Sequence, residues 1–282
     1  LDNRNSLIET FILIVSEIRP KWVLFENVVG LLTHGNGQVF NSLLENLISL
    51  GYTTDWRILN TAYYGLPQNR ERLIVIANIE GKSIKWPSPT HYTKYKSMAG
   101  KRPQVVIPIP LFDQGIKPAV SVMDAIHDLP ELMAGEEKSQ YALNTNLSEY
   151  VTKMRNGCTK LTLHRATHHS NKMIEIIKLS GSNIANLPEG TVASGFSSCY
   201  SRLERDKPST TITVNFIHPS SNRCIHPEQN RALSLREGAR LQGFPDNFKF
   251  VGTRSQVAKQ IGNAVPPILG EVLANFLKDE MC

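Results

Sequence analysis

Pro20-Lys-Trp-Val-Leu-Phe-Glu-Asn-Val28 is an apolar run that stops at a carboxylate followed by an amide. Strands buried on both faces of an open α/β sheet read as unbroken apolar runs, and the ligands of such sheets collect in the crevice beyond the strands' carboxyl ends. The stretch therefore predicts a strand over residues 21–25 that delivers Glu26 to the rim of a doubly wound sheet. Upstream, Ser6-Leu-Ile-Glu9 has the pattern of a capping box, and Leu7, Ile8, Phe11, Ile12, Val15 and Ile18 recur at helical spacing. Pro20 keeps its predecessor out of the helical region, so that helix ends near Arg19.

Downstream, Val39, Phe40, Leu43, Leu44, Leu47 and Ile48 form one face of a helix over residues 39–50, with Gly51 as its left-handed terminator. A strand over 54–59, a turn at Tyr63-Tyr-Gly-Leu-Pro67 and a buried strand over 73–77 follow. Residues 1–78 thus alternate helix and strand. From Trp86 the texture changes, with Pro87, Pro89, Pro103, Pro108 and Pro110 breaking the chain and polar stretches such as 139–156 intervening. A short helix near 120–126 and a strand over 210–215 are the readable pieces. Order returns at Ser234-Leu-Arg-Glu237, a second capping box, with Gly243 and Pro245 ending its helix. A last helix after Pro266-Pro267 carries Ile268, Leu269, Val272, Leu273, Phe276 and Leu277 on one side, a stripe expected to pack on the first domain. The expected division is 1–86, 87–225 and 226–282.

Bulk properties narrow the function classes. The chain has 282 residues, 41% of them hydrophobic, which fits a globular core. No apolar run approaches the roughly 20 residues that span a bilayer, and the first residues lack the pattern of a signal peptide, so the cytoplasm is the default expectation. Cys158, Cys199, Cys224 and Cys282 have no C-x-x-C spacing and read as reduced thiols. A net charge of +6 permits a polyanionic partner without proving one. Because the chain starts at Leu1 rather than Met and goes straight into a helix, residues upstream are expected.

Four segments stand in one order: Phe25-Glu-Asn-Val28, Tyr64-Gly-Leu-Pro-Gln-Asn-Arg-Glu-Arg72, Arg236-Glu-Gly-Ala-Arg-Leu-Gln-Gly-Phe-Pro-Asp246 and Gln260-Ile-Gly-Asn-Ala-Val-Pro-Pro267. Together they resemble the DNA (cytosine-5) methyltransferases. Leu59-Asn-Thr-Ala62 and the 202–213 stretch extend the likeness over nearly everything except the middle of the variable region. The resemblance implies a partial doubly wound, Rossmann-like methyltransferase sheet with a second, irregular mixed target-recognition domain. It implies methyl transfer from S-adenosylmethionine to carbon 5 of a cytosine flipped out of double-stranded DNA, the chemistry of bacterial restriction-modification systems and of a protein held at the nucleoid by its DNA.

The chemistry explains the residue types. Carbon 5 of cytosine is a poor nucleophile, so this family adds a cysteine thiolate to carbon 6, and the resulting enamine attacks the sulfonium methyl. A carboxyl group at the ring N3 and exocyclic amine relieves the charge that develops, a role that maps onto Glu26. Asn27 would brace the loop carrying the nucleophile. Arg72 matches the arginine that contacts the cytosine carbonyl, and Gln68, Arg70 and Thr213 match residues around the DNA backbone. Asn263 and Ala264 match the segment that closes over the methyl donor, with Gly262 allowing close backbone approach. Arg236, Glu237 and Arg240 look structural, organising the base of the recognition region.

Plainer readings stand beside these. Taken alone, Glu26 is a surface acid or helix cap, Arg70-Glu-Arg72 a solvated strand end, and Gly262-Asn-Ala-Val-Pro-Pro267 a helix start. Leu163-His-Arg-Ala-Thr-His-His169 looks metal-like but lacks acidic or cysteine partners at suitable spacing, and reads as a polar loop. Lys94, Lys96, Lys101, Arg102 and Lys117 fit a DNA cleft or solvated surface equally well. The family's nucleophile lies in a Pro-Cys dipeptide, and no Pro-Cys occurs in this sequence. The Gly-rich donor-binding turn and the acid that holds the donor's ribose are also missing, and the match starts at Asp2-Asn-Arg-Asn-Ser-Leu7. Two organisations follow: the C-terminal part of a single-chain enzyme whose N-terminal segment lies upstream, or a non-catalytic recognition subunit that complements a separate catalytic chain.

Overall fold

The computed structural model describes residues 5–94, 96, 97, 100, 102–106, 115–143, 146–193 and 195–281. The expectations for Asp2-Asn-Arg, the Ser6 side chain, Lys101, Pro108, Pro110 and Cys282 lie outside them. The chain forms two compact units, one of Leu1–Asn60, Glu71–Pro89 and Lys94–Asp113, the other of Thr61–Arg70, Thr90–Thr93 and Gln114–Cys282.

In the first unit, helix α1 (Asn5–Ile18) ends where Arg19 turns left-handed at φ 52° ahead of Pro20. Strand β1 (Trp22–Val28), helix α2 (Gln38–Ser49), strand β2 (Thr53–Asn60) and strand β3 (Glu71–Asn78) follow. The sheet order is β1-β3-β2, and β3 is antiparallel to both neighbours, so β1 and β2 run the same way on either side of it. This is the α/β architecture expected, with one reversed strand in the middle. Gly51, at φ 86°, ends α2 as expected, its amide donating to the Ile48 carbonyl.

Alternation along the strands sorts the two faces. Val23, Phe25, Leu73, Val75 and Ala77 point into a core with Val15 of α1 and Phe40, Leu43 and Leu47 of α2. Each such fully buried aliphatic contributes about 1.5–3 kcal/mol relative to exposure. Glu26 therefore belongs to the opposite face. One expectation is corrected here: the strand does not stop at Phe25. β3 pairs with β1 through Glu26↔Ile74, Asn27↔Leu73 and Val28↔Arg72, and those ladder partners hold the chain extended for three more residues. Beyond β2, the Ile58 amide donates to the Gln104 carbonyl and the Val106 amide to that of Ile58, so a proline-flanked segment extends this edge.

The second unit has little regular sheet. Strands β4 (His91–Tyr92) and β5 (Lys117–Pro118) form one parallel pair, and β6 (Ser201–Arg202) and β7 (Arg223–Ile225) another. Helices α3 (Val122–Ile126), α4 (Glu149–Arg155), α5 (Asn171–Leu179), α6 (Leu235–Leu241), α7 (Arg254–Asn263) and α8 (Pro267–Met281) surround a core containing Leu66, Ile126, Phe216, Leu241, Ile261 and Ile268. Ser121, Ser148, Ser170, Ser234 and Thr253 each cap a helix by accepting from the amide three residues on. The capping box at Ser234 and Glu237 forms as expected. Helix α7 is not among the expected elements, although Thr253 and Gln256 form a capping box at its start. The strand expected over 210–215 does not form, because side chains rather than a neighbouring strand take up the Ile212 amide and carbonyl.

Candidate active site

Glu26 and Arg72 lie on the same face of neighbouring strands. Glu26 is paired with Ile74 and Arg72 with Val28, so the two are diagonal neighbours, within reach of long side chains. Arg72 Nε donates to Glu26 Oε1 at 2.9 Å, while its Nη1 donates to the Glu71 carbonyl at 2.8 Å. Burial draws the Arg72 guanidinium below its ordinary pKa, and the charge and hydrogen bond of Glu26 oppose that shift. The Glu26 side chain keeps 26% of its surface accessible, enough to meet a ligand. Asn27 turns its Oδ1 to the Val28 amide at 2.8 Å, a local contact.

The remaining residues singled out from sequence belong to the second unit, where three of the four motif segments converge. Gln68, fully buried, accepts from the Ile212 amide at 2.9 Å and donates to the Leu241 carbonyl at 3.0 Å and Gln242 Oε1 at 2.8 Å. Gln242 in turn donates to the Ala264 carbonyl at 2.8 Å. Arg70, 2% exposed, donates to the carbonyls of Ile212 at 3.0 Å, Gly262 at 3.1 Å and Ala264 at 3.2 Å. Neither side chain reaches the surface, so in this conformation neither meets a DNA backbone. Both tie the 209–213 segment to α6 and to the end of α7.

What those staples hold is accessible. Thr213 is exposed, its hydroxyl accepting from Asn222 Nδ2 at 3.1 Å, and Asn263 is exposed at the last turn of α7 beside half-buried Ala264. Gly262 has a different reason from the one expected. A Cβ there would fall 2.4 Å from the Thr213 carbonyl carbon and the Val214 amide nitrogen, so protein backbone rather than a ligand demands the glycine.

Arg236, Glu237 and Arg240 are buried on α6. Glu237 binds Arg231 through both oxygens, at 2.8 and 2.7 Å, and accepts from the Ser234 amide at 2.7 Å. Its burial favours the neutral acid, but the Arg231 charge and hydrogen bonds outweigh that and hold its pKa far below the usual range. Arg240 grips two buried carboxylates, Asp128 and Asp246, and Arg236 donates to Thr162 Oγ1 at 2.7 Å. Asp128 escaped sequence reading, since an isolated acid gives no periodic signal, and Gln242 and Asp246 fall within the third motif segment without having been assigned a role.

The histidine-rich stretch divides. His164 is buried between Ser234 Oγ and the Pro130 carbonyl, and His169 Nε2 accepts from the Ala232 amide at 3.2 Å, whereas His168 is exposed. Only one of the loop's three imidazoles is thus exposed, and the other two are held by hydrogen bonds within the fold. No group of metal-ligating side chains forms among the described residues, and no described helix is long and apolar enough to cross a membrane.

Known proteins match this arrangement along the whole chain. The Type II methyltransferase M.AgeI of Thalassovita gelatinovora is 31% identical over 98% of this chain and 78% of its own length. M1.HphI of Haemophilus parahaemolyticus is 33% identical over 97% of this chain and 60% of its own. Among solved structures, one described as a DNA modification methyltransferase encoded within an E. coli prophage superposes with a TM-score of 0.71 at 24% identity, covering 99% of this chain and 74% of that one. The S. pombe Dnmt2 methyltransferase follows with a TM-score of 0.51 at 14% identity, over 93% and 67%. At those identities the superpositions speak for the fold. The sequence profile of the C-5 cytosine-specific DNA methylases matches residues 1–279, and the chain belongs to that family.

Proposed function

We propose that this chain supplies the base-holding and donor-closing parts of an enzyme that transfers a methyl group from S-adenosylmethionine to carbon 5 of a cytosine flipped from a specific DNA sequence. The Glu26–Arg72 pair carries the proposal: a partly accessible carboxylate oriented at 2.9 Å by a guanidinium whose Nη2 makes no bond among the described residues. Glu26 holds or donates a proton at the ring N3 and exocyclic amine as negative charge builds on the base. Arg72 orients that carboxylate and offers Nη2 to the cytosine carbonyl. S-adenosylmethionine contributes the electrophilic methyl, and the exposed Asn263 amide, with Ala264 beside it, is what this chain offers the donor. The Thr213 hydroxyl offers a contact to a DNA phosphate. Gln68 and Arg70 act by positioning Thr213 and Asn263, and Arg236, Glu237 and Arg240 by bracing α6.

The thiolate comes from outside these 282 residues. No Pro-Cys dipeptide is present, and burial raises the Cys224 thiol well above its usual pKa, which leaves it unreactive. Either an N-terminal segment or a complementary catalytic chain fits. Surface features support an added body: β1 lies at the edge of its sheet with Leu24 and Val28 exposed, and Leu7, Ile14 and Ile18 form an uncovered stripe on α1. A bacterial restriction-modification setting, in the cytoplasm at the nucleoid, completes the reading. The test is methyl transfer from tritiated donor to duplex DNA. The 282-residue chain alone should transfer nothing. Supplied with a Pro-Cys loop, covalently or as a partner chain, it should become active and lose about 100-fold or more in kcat with Glu26→Gln. Unchanged turnover in that variant would sink the role given to Glu26.

A further inference from the structure

None of these residues lines a second cavity, in the part of the second unit that the histidine-rich loop builds. A cavity of about 400 Å³ is lined by Arg165, Thr167 and His168 of that loop, by Gly252 and Arg254 at the start of α7, and by Glu137. Arg254 is committed by geometry: Nη2 donates to Thr167 Oγ1 at 2.6 Å and Nη1 to the Arg165 carbonyl at 3.3 Å. Arg165 itself is exposed, and its guanidinium has neither a hydrogen-bond partner nor a carboxylate within ion-pair distance among the described residues. Glu137 sits across an isolated backbone bridge from Arg165 without pairing with its side chain. Two guanidinium groups and an imidazole thus face one cavity against a single unpaired acid.

The surroundings reinforce the sign. Buried His169 is pushed below the usual histidine pKa by burial first, then by Arg254, His218, His168 and Arg231, all of them cationic or able to become so. The amino end of α7, a ten-residue helix, adds its partial positive charge through the wall formed by Gly252 and Arg254. Arg231 is neutralised by Glu237, but at the cavity Arg165, Arg254 and His168 stand against Glu137 alone, and an anion with several acceptor oxygens relieves the repulsion between the two guanidinium groups. A guanidinium fork matches a phosphate in geometry as well as charge.

We propose that this cavity is a phosphate-binding site, in which Arg165 and Arg254 grip the phosphate oxygens and His168 closes the mouth. Two sources carry that group, the backbone of a nucleic-acid strand or a small free phosphate, and the test separates them. Calorimetric titration of the 282-residue chain with inorganic phosphate, ionic strength held constant with chloride, should give saturable binding that weakens at least tenfold in Arg165→Gln. Lys278→Gln, an equal loss of charge on α8, should bind as the unaltered chain does. Because Arg165 is exposed and unpartnered, its replacement leaves folding intact, and a melting temperature measured alongside checks this. Phosphate binding that is absent from the unaltered chain, or equal in Arg165→Gln, overturns the proposal.

The second arm rests on the proposed DNA function, whereas the calorimetric arm does not, so the two can fail separately. It follows duplex affinity against salt, using a duplex with unphosphorylated ends. If the site takes a backbone phosphate, Arg165→Gln lowers the slope of log affinity against log salt by about 1. If it takes a free phosphate, that slope stays put while inorganic phosphate binding still falls.

Discussion

Replacing Arg240 by Met should cost about 3 kcal/mol of stability at pH 7. Arg240 is fully buried and donates through Nε and Nη2 to Asp246 at 2.8 and 2.7 Å, and through Nη1 and Nη2 to Asp128 at 2.8 and 3.1 Å. Burial works against its charge, yet these two carboxylates hold its pKa above the ordinary arginine value. Methionine fills a similar volume and removes every donor, stranding two buried acids. Breaking a buried pair on one side costs about 3–5 kcal/mol. The low end applies here because Asp128 keeps Arg155 Nε at 2.7 Å, and Asp246 keeps Arg236 at 3.3 Å and the Tyr141 hydroxyl at 2.6 Å. Against a total of about 5–15 kcal/mol, that is a severe loss.

Urea denaturation followed by far-ultraviolet circular dichroism, which reports on the helices of the second unit, measures it, with Lys153→Met as the contrast. That change breaks only the exposed Lys153–Glu271 pair and should cost under about 1 kcal/mol. Acidification supplies a second check. In the unaltered protein the folded-state pKa of Asp128 is depressed: burial opposes the shift, and Arg240 and Arg155 outweigh it. Its contribution is therefore complete above the unfolded-state pKa and is lost as pH falls through the lower folded value. Without Arg240, burial dominates and the acid protonates at higher pH, so the gap between the two proteins narrows as pH falls towards about 4. A loss below about 1 kcal/mol at pH 7, or a gap that widens on acidification, refutes the assignment.

Two further outcomes are expected. Gly262→Ala should destabilise the second unit by about 1–3 kcal/mol, since the added methyl meets the Thr213–Val214 backbone at 2.4 Å and no side-chain rotation can relieve it; a melting temperature equal to that of the unaltered chain would contradict this. Stability should also fall by roughly 2 kcal/mol from pH 6.5 to pH 5 through His226. Burial lowers that imidazole to about 4, and its Nδ1 accepts from the Glu228 and Gln229 amides at 3.1 and 3.0 Å, bonds that a protonated ring loses. In this window the unfolded chain binds the extra proton, so folding is favoured as pH rises. His226→Asn, which keeps an acceptor but cannot titrate, should flatten that slope, and a slope unchanged in the variant counts against the role.

The first unit was legible because burial there is periodic. Leu43 and Leu47 on α2, and the alternation of Val23 and Phe25 with Leu24 and Glu26, write the core directly into the sequence. The end of β1 was not legible, since pairing with β3 is decided about fifty residues away. The second unit resisted for another reason: much of its backbone is held by buried polar side chains rather than by a ladder. Arg202 is the extreme, its guanidinium spread over the carbonyls of Ile177, Ser180, His226 and Gln229. No spacing rule announces such a contact.

Arg70 and Arg72 show how far this reaches into the site. Two residues apart in one basic run, they look interchangeable, and both suggest a ligand. Arg72 is the second residue of β3, where alternation puts it beside Glu26; Arg70 precedes the strand and belongs to the other unit, bonded to Gly262 and Ala264. The segments that look like a binding motif in sequence are partly motifs because they bind one another. Altering Gln68 or Arg70 would then move Thr213 and Asn263 without removing any exposed group. Loss of DNA affinity in such variants is therefore no evidence of contact. A change at an exposed group, such as Thr213→Val, which gives up only the internal bond from Asn222 Nδ2, comes nearer to reporting on contact itself.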